Sequence, residues 1–399
     1  MSTRRLRTLI SGSGIAGTAA AIFLHREGHE LTVIDKAPSF QHLGYCLSLK
    51  YFGRWVMREL GLLEELERRQ IPIERLRFLD EGGALIREYP GQLAARAVQG
   101  ATFVNRADLH EVLSEAARKE LSVRFGTTIR SVVQEGSEVG VTFSDGSNAA
   151  FDLVVVAEGL HSTTRALVWT EDGYRPFGVI YAAALTKPDG GIAPGTLEMY
   201  VGTGKTLMLI PFDATSLLVQ SYFRGTLGED GSSRHAKGLL RTAFAGYPAE
   251  VTRVIESLST DDYVFYDNVG VMALPTLAKG RVVLLGDAGY CPTFLSGMGA
   301  SLGLLGARAL AQALRESPTD VEAALALFDG LIQPIAGHYQ ANARTNVRTL
   351  LSASRPKTKL RETIMRLAPP ALLLGSFGKQ FEIETELLRE IMGADARPA

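Results

Sequence analysis

The sequence is poor in cysteine and in net charge. Only two of its 399 residues are cysteines, which excludes a disulfide scaffold and the common zinc-ligand spacings. The formal net charge is −1, so no basic surface is expected for nucleic acid or an anionic membrane. No uncharged apolar run reaches the roughly 18 residues that span a bilayer. These absences predict a cytoplasmic protein without a metal, a nucleic-acid partner or a membrane partner.

Hydrophobic residues are plentiful, at 46% of the chain, so a large buried core is expected. The length accommodates one large α/β domain with a smaller partner, or two to three domains. We expect a monomer or a homodimer that acts on a small molecule.

The N-terminal stretch "LISGSGIAGTAAAIFLHREGHELTVIDK", which begins at Leu9, has two possible interpretations. Basic residues followed by an apolar run could form a secretory signal peptide. However, Gly12, Gly14 and Gly17 interrupt the run, and charged residues follow it without loss of the helical pattern. The stretch therefore predicts the start of a dinucleotide-binding domain.

That interpretation assigns a role to each part of the stretch. A strand is predicted over 6–11, a helix over 16–26 and a second strand over 30–34. The glycines allow a tight turn, close approach of a pyrophosphate and close packing of the helix, whose N-terminus faces the phosphates. Asp35 ends the second strand, where a carboxylate binds ribose hydroxyls. The predicted cofactor-binding residues here are Gly12, Ser13, Gly14, Ile15, Ala16, Gly17, Asp35 and Lys36. The fingerprint alone does not separate FAD from NAD.

The middle of the chain has a different character. A helix capped by Asn105 is predicted, then a β-meander over 122–157, and then a strand-rich segment over 176–272 with two helices between about 234 and 258. The run "VGTGKTL" ends like a phosphate-binding loop. It lacks the first glycine of that motif, so it predicts a β-hairpin turn.

A second strand–loop–helix unit follows in "RVVLLGDAGYCPTFLSGMG". A buried strand over 282–285 places Asp287 at its carboxyl end, where it can bind polyol hydroxyls. Gly297, Met298, Gly299 and Ala300 open a long apolar helix, whose N-terminus can stabilise negative charge on the N1–C2=O edge of a flavin. The alternative is that Asp287 only caps the helix or its loop.

Together these motifs resemble the FAD-dependent monooxygenases of the p-hydroxybenzoate hydroxylase type. The resemblance covers almost the whole chain, through "GSGIAG", "NRADLHEVL", "LVVVAEGLHSTTR" and "GDAGYCPTFLSGMG" in the family's order. It implies that Arg106 contacts FAD, that the backbone near Ile129 contacts the adenine side, and that Asp287 binds the ribityl chain. It also implies that the N-terminal fingerprint binds FAD, because this family has no second Rossmann domain for NAD(P)H.

The resemblance further implies the fold and the reaction. The expected fold is α/β, with a Rossmann-like FAD-binding domain that carries a β-meander, an interleaved β-sheet substrate domain, and C-terminal helices. The expected boundaries are 1–175 for the FAD domain, with about 72–100 contributing to the substrate domain, 176–272 for the substrate domain, and 273–399 for the return to the FAD domain. NADH or NADPH would reduce FAD, and O₂ would supply one oxygen atom to an aromatic or polyketide-like substrate.

Two departures from the family pattern keep a second hypothesis open. The family's Asp-Gly pair is Glu158-Gly159 here, and Phe294 replaces a usual proline beside the flavin. The alternative is a flavoprotein whose FAD is largely structural, acting as a redox-neutral cyclase or isomerase. No catalytic residue is assigned. Cys46, Cys291 and His161 are expected to be structural, whereas Lys50, Tyr290 and Phe294 could face the flavin or the substrate.

Overall fold

The computed structural model describes residues 5–40, 44–93, 100–187, 191–213, 215–227, 233–258, 264–379 and 382–396. Its strands are β1 (Arg7–Ser11), β2 (Glu30–Ile34), β3 (Cys46–Leu49), β4 (Arg75–Leu79), β5 (Leu85–Pro90), β6 (Thr102–Asn105), β7 (Val123–Arg124), β8 (Ile129–Glu135), β9 (Glu138–Phe143), β10 (Asn148–Phe151), β11 (Leu153–Val156), β12 (Tyr174–Thr186), β13 (Thr196–Gly202), β14 (Lys205–Pro211), β15 (Leu217–Arg224), β16 (Val264–Met272), β17 (Ala278–Lys279) and β18 (Val282–Leu284).

Its α-helices are α1 (Ile15–Arg26), α2 (Tyr51–Leu60), α3 (Leu63–Arg68), α4 (Arg106–Arg118), α5 (Thr163–Val168), α6 (Ser233–Ala243), α7 (Ala249–Ser257), α8 (Asp287–Tyr290), α9 (Gly299–Glu316), α10 (Val321–Leu350), α11 (Arg355–Leu367), α12 (Pro370–Lys379) and α13 (Thr385–Met392). Short 3₁₀ turns span Phe294–Ser296 and Gly393–Asp395. Within the described residues, none of these helices combines the length and the apolar character needed to cross a bilayer.

A six-stranded sheet in the order β17-β18-β11-β1-β2-β7 forms the centre of the first half of the fold. All its pairs are parallel except β17–β18. Because successive side chains alternate between the two faces, Leu9 packs on one side and Ile10 on the other. The antiparallel sheet β10-β9-β8 covers the face of Leu9, and helices α1, α4 and α9 cover the face of Ile10. This layering explains why β11, which reads Leu-Val-Val-Val, is buried throughout.

A seven-stranded sheet in the order β16-β12-β15-β14-β13-β4-β5 forms the second half. Its pairs are antiparallel except β13–β4. Through that parallel pair, residues 75–90 join a sheet whose other strands come much later in the chain. One face packs on α6 and α7 through residues such as Leu240 and Val251. The opposite face carries Met199 and Met208 towards a cavity described below.

The C-terminal helices connect the two halves. Helix α10 contains Pro334 and contributes Phe328 and Ile332 to the core beneath the central sheet. Helix α11 lies against β5, where Arg87 donates hydrogen bonds to the carbonyl oxygens of Arg366 and Ala368. The cavity wall therefore includes residues from both sheets and from α11 and α12.

The predicted fold class is confirmed, and so are most predicted elements. Helix α1 begins at Ile15, one residue earlier than expected. Asn105 caps α4 by accepting a hydrogen bond from the Ala107 N–H, as predicted. The "VGTGKTL" run is a hairpin, with Gly202 paired to Lys205 between β13 and β14. Helices α6 and α7 match the two helices predicted between 234 and 258.

Candidate functional site

One continuous cavity of about 680 Å³ lies between the two sheets. On one side it is lined by the residues that follow the carboxyl ends of the parallel strands, which is where open α/β sheets bind ligands. These residues are Gly12, Asp35, Lys36, Ala157, Glu158, Gly286 and Asp287. On the other side it is lined by the face of the seven-stranded sheet that does not pack on α6 and α7.

The three glycines of the N-terminal fingerprint have different surroundings. Gly12 has φ +104°, and a Cβ there would lie 2.4 Å from the Ala157 carbonyl oxygen. A Cβ on Gly17 would lie 1.9 Å from the Gly12 carbonyl oxygen, so this position needs a glycine for the chain to fold. A Cβ on Gly14 would meet no protein atom within 4 Å, and Gly14 lines the cavity. The space above Gly14 is therefore open for a ligand.

Asp35 holds the turn after β1 and lines the cavity. Its Oδ2 accepts hydrogen bonds from the Ser13 N–H at 2.7 Å and the Ser13 hydroxyl at 2.8 Å. Its Oδ1 accepts from the Ala37 N–H at 2.8 Å. The carboxylate is thus fixed at the end of β2, in the position predicted for ribose binding.

His110 on α4 also contacts the turn after β1. Its Nε2 lies 2.5 Å from the Ser13 carbonyl oxygen, and because that oxygen only accepts, Nε2 carries the proton. Burial lowers the pKa of His110 to about 4, so the ring is neutral near pH 7. His110 was not among the predicted residues, although its place on the helix that begins with Arg106 was a usable signal.

Asp287 lies on the opposite wall, at the start of α8. A Cβ on Gly299 would lie 3.5 Å from Asp287 Oδ1, so the carboxylate faces the N-terminus of α9. Burial raises the pKa of Asp287, and the same burial raises the pKa of the neighbouring Cys291 thiol far above its usual range. Asp287, Gly297, Gly299 and Ala300 all line the cavity.

The loop after β1 and the loop after β18 are packed together by small residues. A Cβ on Gly286 would lie 2.9 Å from the Ala16 Cβ, and one on Gly303 would lie 3.2 Å from the same atom. Ala16 and Ile15 line the cavity together with Gly303. Helices α1 and α9 can therefore present their N-termini to one ligand.

Arg106 also lines the cavity, at the first position of α4. Its backbone N–H donates to the Tyr45 carbonyl oxygen at 2.9 Å, and its guanidinium carbon lies 5.9 Å from the centre of the Tyr45 ring. Burial raises the pKa of Tyr45 to about 12. Through these contacts with Tyr45, Arg106 connects the start of α4 to the part of the cavity wall where its two halves meet.

The structure brings most of the predicted residues together, but not all. Ser13, Gly17, Ile129 and Met298 do not line the cavity. Ile129 and Met298 are buried in the hydrophobic core, and Ser13 and Gly17 shape the turn through the contacts given above. Thr127 and Thr128, which precede Ile129, do line the cavity, so contacts of these four residues with FAD stay a prediction.

Glu158 lines the cavity, but its carboxylate is occupied by the protein. Oε1 accepts from the hydroxyls of Ser11 at 2.5 Å and Thr164 at 2.6 Å. Oε2 accepts from the Ser162 hydroxyl at 2.7 Å and the Thr164 N–H at 3.1 Å. The longer side chain thus ties the end of β1 to the first turn of α5.

Four other residues were singled out in the sequence, and each has different surroundings. His161 Nε2 lies 2.9 Å from Asp267 Oδ2, and this hydrogen bond raises the His161 pKa. Cys46 lines the cavity, and burial raises its pKa to about 12, so its thiol stays protonated. Tyr290 is buried in the core. The side chain of Phe294 lies outside the part of the chain that the structure describes.

Lys50 is buried in the cavity wall, with 1% of its surface exposed. Its Nζ donates to the Ser48 hydroxyl at 2.7 Å and to the Gly297 carbonyl oxygen at 2.8 Å. Burial lowers the pKa of Lys50 to about 7. The structure therefore places an ionisable amine beside the loop that leads into α9.

The half of the cavity formed by the seven-stranded sheet is mainly apolar. Its lining includes Leu76, Phe78, Leu197, Met199, Val201, Met208 and Ile210. An aromatic cluster borders it, in which the Tyr181 ring lies 5.5 Å from Tyr45 and 5.0 Å from Tyr222. Gln220 bridges the two halves by accepting from the Cys46 N–H at 2.9 Å and donating to the Cys46 carbonyl oxygen at 3.2 Å.

Residues 5–325 match the family model described as "FAD binding domain". The chain belongs to this family. It is 30% identical over 375 residues to the FAD-dependent monooxygenase asL6 of Sarocladium schorii, a match that covers 82% of this chain and 84% of the relative. It is 26% identical over 336 residues to a flavin-dependent monooxygenase of Legionella longbeachae, covering 83% and 86% respectively. The chain is thus a flavin-dependent monooxygenase of this FAD-binding family.

Solved structures show the same fold. The tetracycline destructase Tet(55) superposes with a TM-score of 0.80 at 25% identity, covering 96% of this chain and all of that one. HpxO of Klebsiella pneumoniae, solved with FAD and uric acid, superposes with a TM-score of 0.81 at 24% identity, covering 94% of this chain and 96% of that one. Both solved structures therefore share the fold of this chain over almost its whole length.

Proposed function

We propose that this protein uses NADH or NADPH, together with O₂, to oxygenate a mainly apolar aromatic or polyketide-like molecule. The observation that carries the proposal is the continuity of the cavity. The cofactor motifs line one half, and an apolar sheet face lines the other. A substrate in the second half would lie directly beside a flavin in the first.

The residues present fit FAD. The space above Gly14 can take a pyrophosphate, since no protein atom lies within 4 Å of a Cβ there. The Asp287 carboxylate lines the cavity and would accept hydrogen bonds from ribityl hydroxyls, and Asp35 would accept them from a ribose. Arg106, Lys36 and the N-termini of α1 and α9 would complement the negative charge of the cofactor.

FAD would supply the electron transfer and oxygen chemistry, so the chain itself supplies binding, orientation and exclusion of water. The apolar lining around Met199 and Met208 would exclude water from the reacting atoms. The aromatic cluster of Tyr45, Tyr181 and Tyr222 would stack against a planar substrate. Glu158 would position the loop before α5 through its four hydrogen bonds.

The finer assignments rest on the same observations. We propose the seven-stranded sheet as the substrate domain, with residues 75–90 as its N-terminal contribution. The two free thiols, Cys46 and Cys291, support a location in the reducing cytoplasm. As predicted from the sequence, we propose a monomer or homodimer.

The test is to purify the protein, record its flavin spectrum, and follow NADH and NADPH oxidation with O₂ uptake across a panel of aromatic and polyketide-like compounds. We expect FAD that is released on denaturation, slow basal oxidation, and faster oxidation with one class of compound that gains an oxygen atom. Full-rate conversion of a substrate without NAD(P)H or O₂ would instead establish the redox-neutral cyclase or isomerase.

A further inference from the structure

Helix α11 exposes a stripe of apolar side chains to solvent. Leu360, Ile364 and Leu367 recur at the spacing that places side chains on one face of a helix, and they are 60%, 47% and 78% exposed. Thr358 and Glu362, on another face of the helix, are buried. A single exposed leucine is ordinary, but a row of them on one helix is typical of a surface that binds a partner.

The exposed apolar surface continues at the start of α12, where Leu372 is 66% exposed. Four of the eight large hydrophobic side chains that are exposed among the described residues therefore lie within residues 360–372. We refer to these four side chains as the apolar patch, which consists of Leu360, Ile364, Leu367 and Leu372.

Positive charge is concentrated in the same part of the chain. Residues 340–379 contain eight lysines and arginines but one acidic residue, although the net charge of the whole chain is −1. That acidic residue, Glu362, is buried and accepts a hydrogen bond from Lys359 Nζ at 2.7 Å. Five exposed side chains of the segment form no ion pair with another described residue: Arg344, Arg348, Arg355, Lys357 and Lys379.

Two carboxylates that follow β4 also come close to this segment. Asp80 lies 3.5 Å from the Arg366 guanidinium, and Glu81 accepts a hydrogen bond from the Thr203 N–H. Even with both carboxylates included, the segment keeps an excess of positive charge. The apolar patch is therefore accompanied by lysines and arginines that an anionic partner would complement.

This combination favours a lipid surface over a protein partner. A second copy of the chain would bring the same positive charge against the patch, so like charges would oppose a dimer through this face. Protein interfaces are enriched in aromatic residues and depleted in lysine, whereas the patch is wholly aliphatic and has lysines beside it. Leucines bordered by Lys and Arg are typical of helices that lie in a membrane interface, where anionic headgroups attract the basic residues.

We propose that α11 and the start of α12 dock on the surface of an anionic lipid bilayer, with the apolar patch among the acyl chains and the basic residues on the phosphate headgroups. The charge of the whole chain predicted no membrane partner, and this proposal departs from that expectation. The same two helices line the apolar part of the cavity through Met365, Leu373 and Leu374, so docking would bring that wall close to the medium in which an apolar substrate dissolves. Only this consequence rests on the proposed function, because docking itself requires no FAD.

The test is co-sedimentation of the full-length protein with vesicles of phosphatidylcholine alone, or of equal parts phosphatidylcholine and phosphatidylglycerol. We expect binding to the mixed vesicles that falls as salt rises, and little binding to phosphatidylcholine alone. Leu367→Gln should lower the partition coefficient about tenfold, and Lys357→Gln should lower it about fivefold. The matched controls are Leu167→Gln, at a 47% exposed leucine of α5, and Lys119→Gln, at an exposed lysine that ends α4, and both should bind like the wild type.

Three results would overturn the proposal, provided that circular dichroism shows each protein to be folded. The first is a wild-type protein that stays in the supernatant with the mixed vesicles. The second is an equal loss of binding in Leu167→Gln and Leu367→Gln, with Leu360→Gln used if the latter does not fold. The third is a dimer in light scattering that Leu367→Gln dissociates, which would assign the patch to a second copy. Absence of FAD or of NAD(P)H oxidation would refute the proposed function and would leave vesicle binding unaffected.

Discussion

Valine substitution at two neighbouring glycines separates FAD binding from folding. Gly14 has extended backbone that valine also adopts, and a Cβ there meets no protein atom within 4 Å. We therefore expect Gly14→Val to fold like the wild type without cofactor. A branched side chain would occupy the space proposed for the pyrophosphate, so FAD binding should be lost.

The magnitude follows from ligand linkage. FAD at 100 times its dissociation constant stabilises the folded wild type by about 2.7 kcal/mol, which for a chain of this size raises the melting temperature by roughly 3 °C. Gly14→Val should show none of this rise. The assay is thermal unfolding with and without added FAD, alongside a fluorescence titration of FAD at constant temperature.

Gly17→Val is the matched control, because it makes the same change three residues along the same turn. Its Cβ would lie 1.9 Å from the Gly12 carbonyl oxygen, so it should unfold at a lower temperature even without FAD. If Gly14→Val titrates with FAD as the wild type does, the pyrophosphate does not bind above Gly14, and the cofactor placement is wrong.

Three further predictions concern the carboxylates and the histidine around the cavity. Asp287→Ala should weaken FAD binding tenfold or more, since charge-assisted hydrogen bonds contribute about 1.5–3 kcal/mol. If a fluorescence titration gives this variant the same affinity for FAD as the wild type, Asp287 does not bind the ribityl chain. Glu158→Ala should lower the free energy of unfolding by about 3 kcal/mol or more, because buried donors of Ser11, Ser162 and Thr164 lose their acceptor. The exposed Glu138→Ala is its control in denaturant titrations, and equal stability of the two variants would refute the network. His110, with its pKa lowered to about 4 against an unfolded value near 6.5, should destabilise the fold as pH falls from 6.5 to 4. The melting temperature of His110→Gln should therefore fall less steeply with pH over that range than the melting temperature of the wild type. An equally steep fall in both proteins would exclude this contribution.

The sequence predicted the parts of the site that depend on local pattern. Glycine spacing, a buried strand and a terminal acid are sufficient to place Gly14, Asp35 and Asp287 at strand ends, because strand ends converge in a parallel sheet. The same patterns predicted α1, α4 and the hairpin at Gly202. Local periodicity is therefore informative wherever one segment builds its own turn.

Interactions between distant segments were not predictable in this way. Glu158 appeared as a lengthened acid facing a cofactor, yet its partners come from Ser11 and from α5. Lys50 could equally have been a surface lysine, since one acceptor of its buried amine is the Gly297 carbonyl oxygen, far along the chain. The parallel pairing of β4 with β13 joins residues 75–79 to 196–200, a contact that no local periodicity encodes.

That parallel pairing also constrains the order in which the newly made chain can fold. Strand β1 is synthesised first but pairs with β11, which in turn waits for β18 near residue 282. Strand β4 likewise waits for β13. The cavity therefore cannot form until more than 280 residues have left the ribosome, and FAD cannot assist the earlier stages of folding. Such long-range closure is slow and leaves apolar strands exposed meanwhile, so the yield of folded protein should respond more to chaperones than to the supply of flavin.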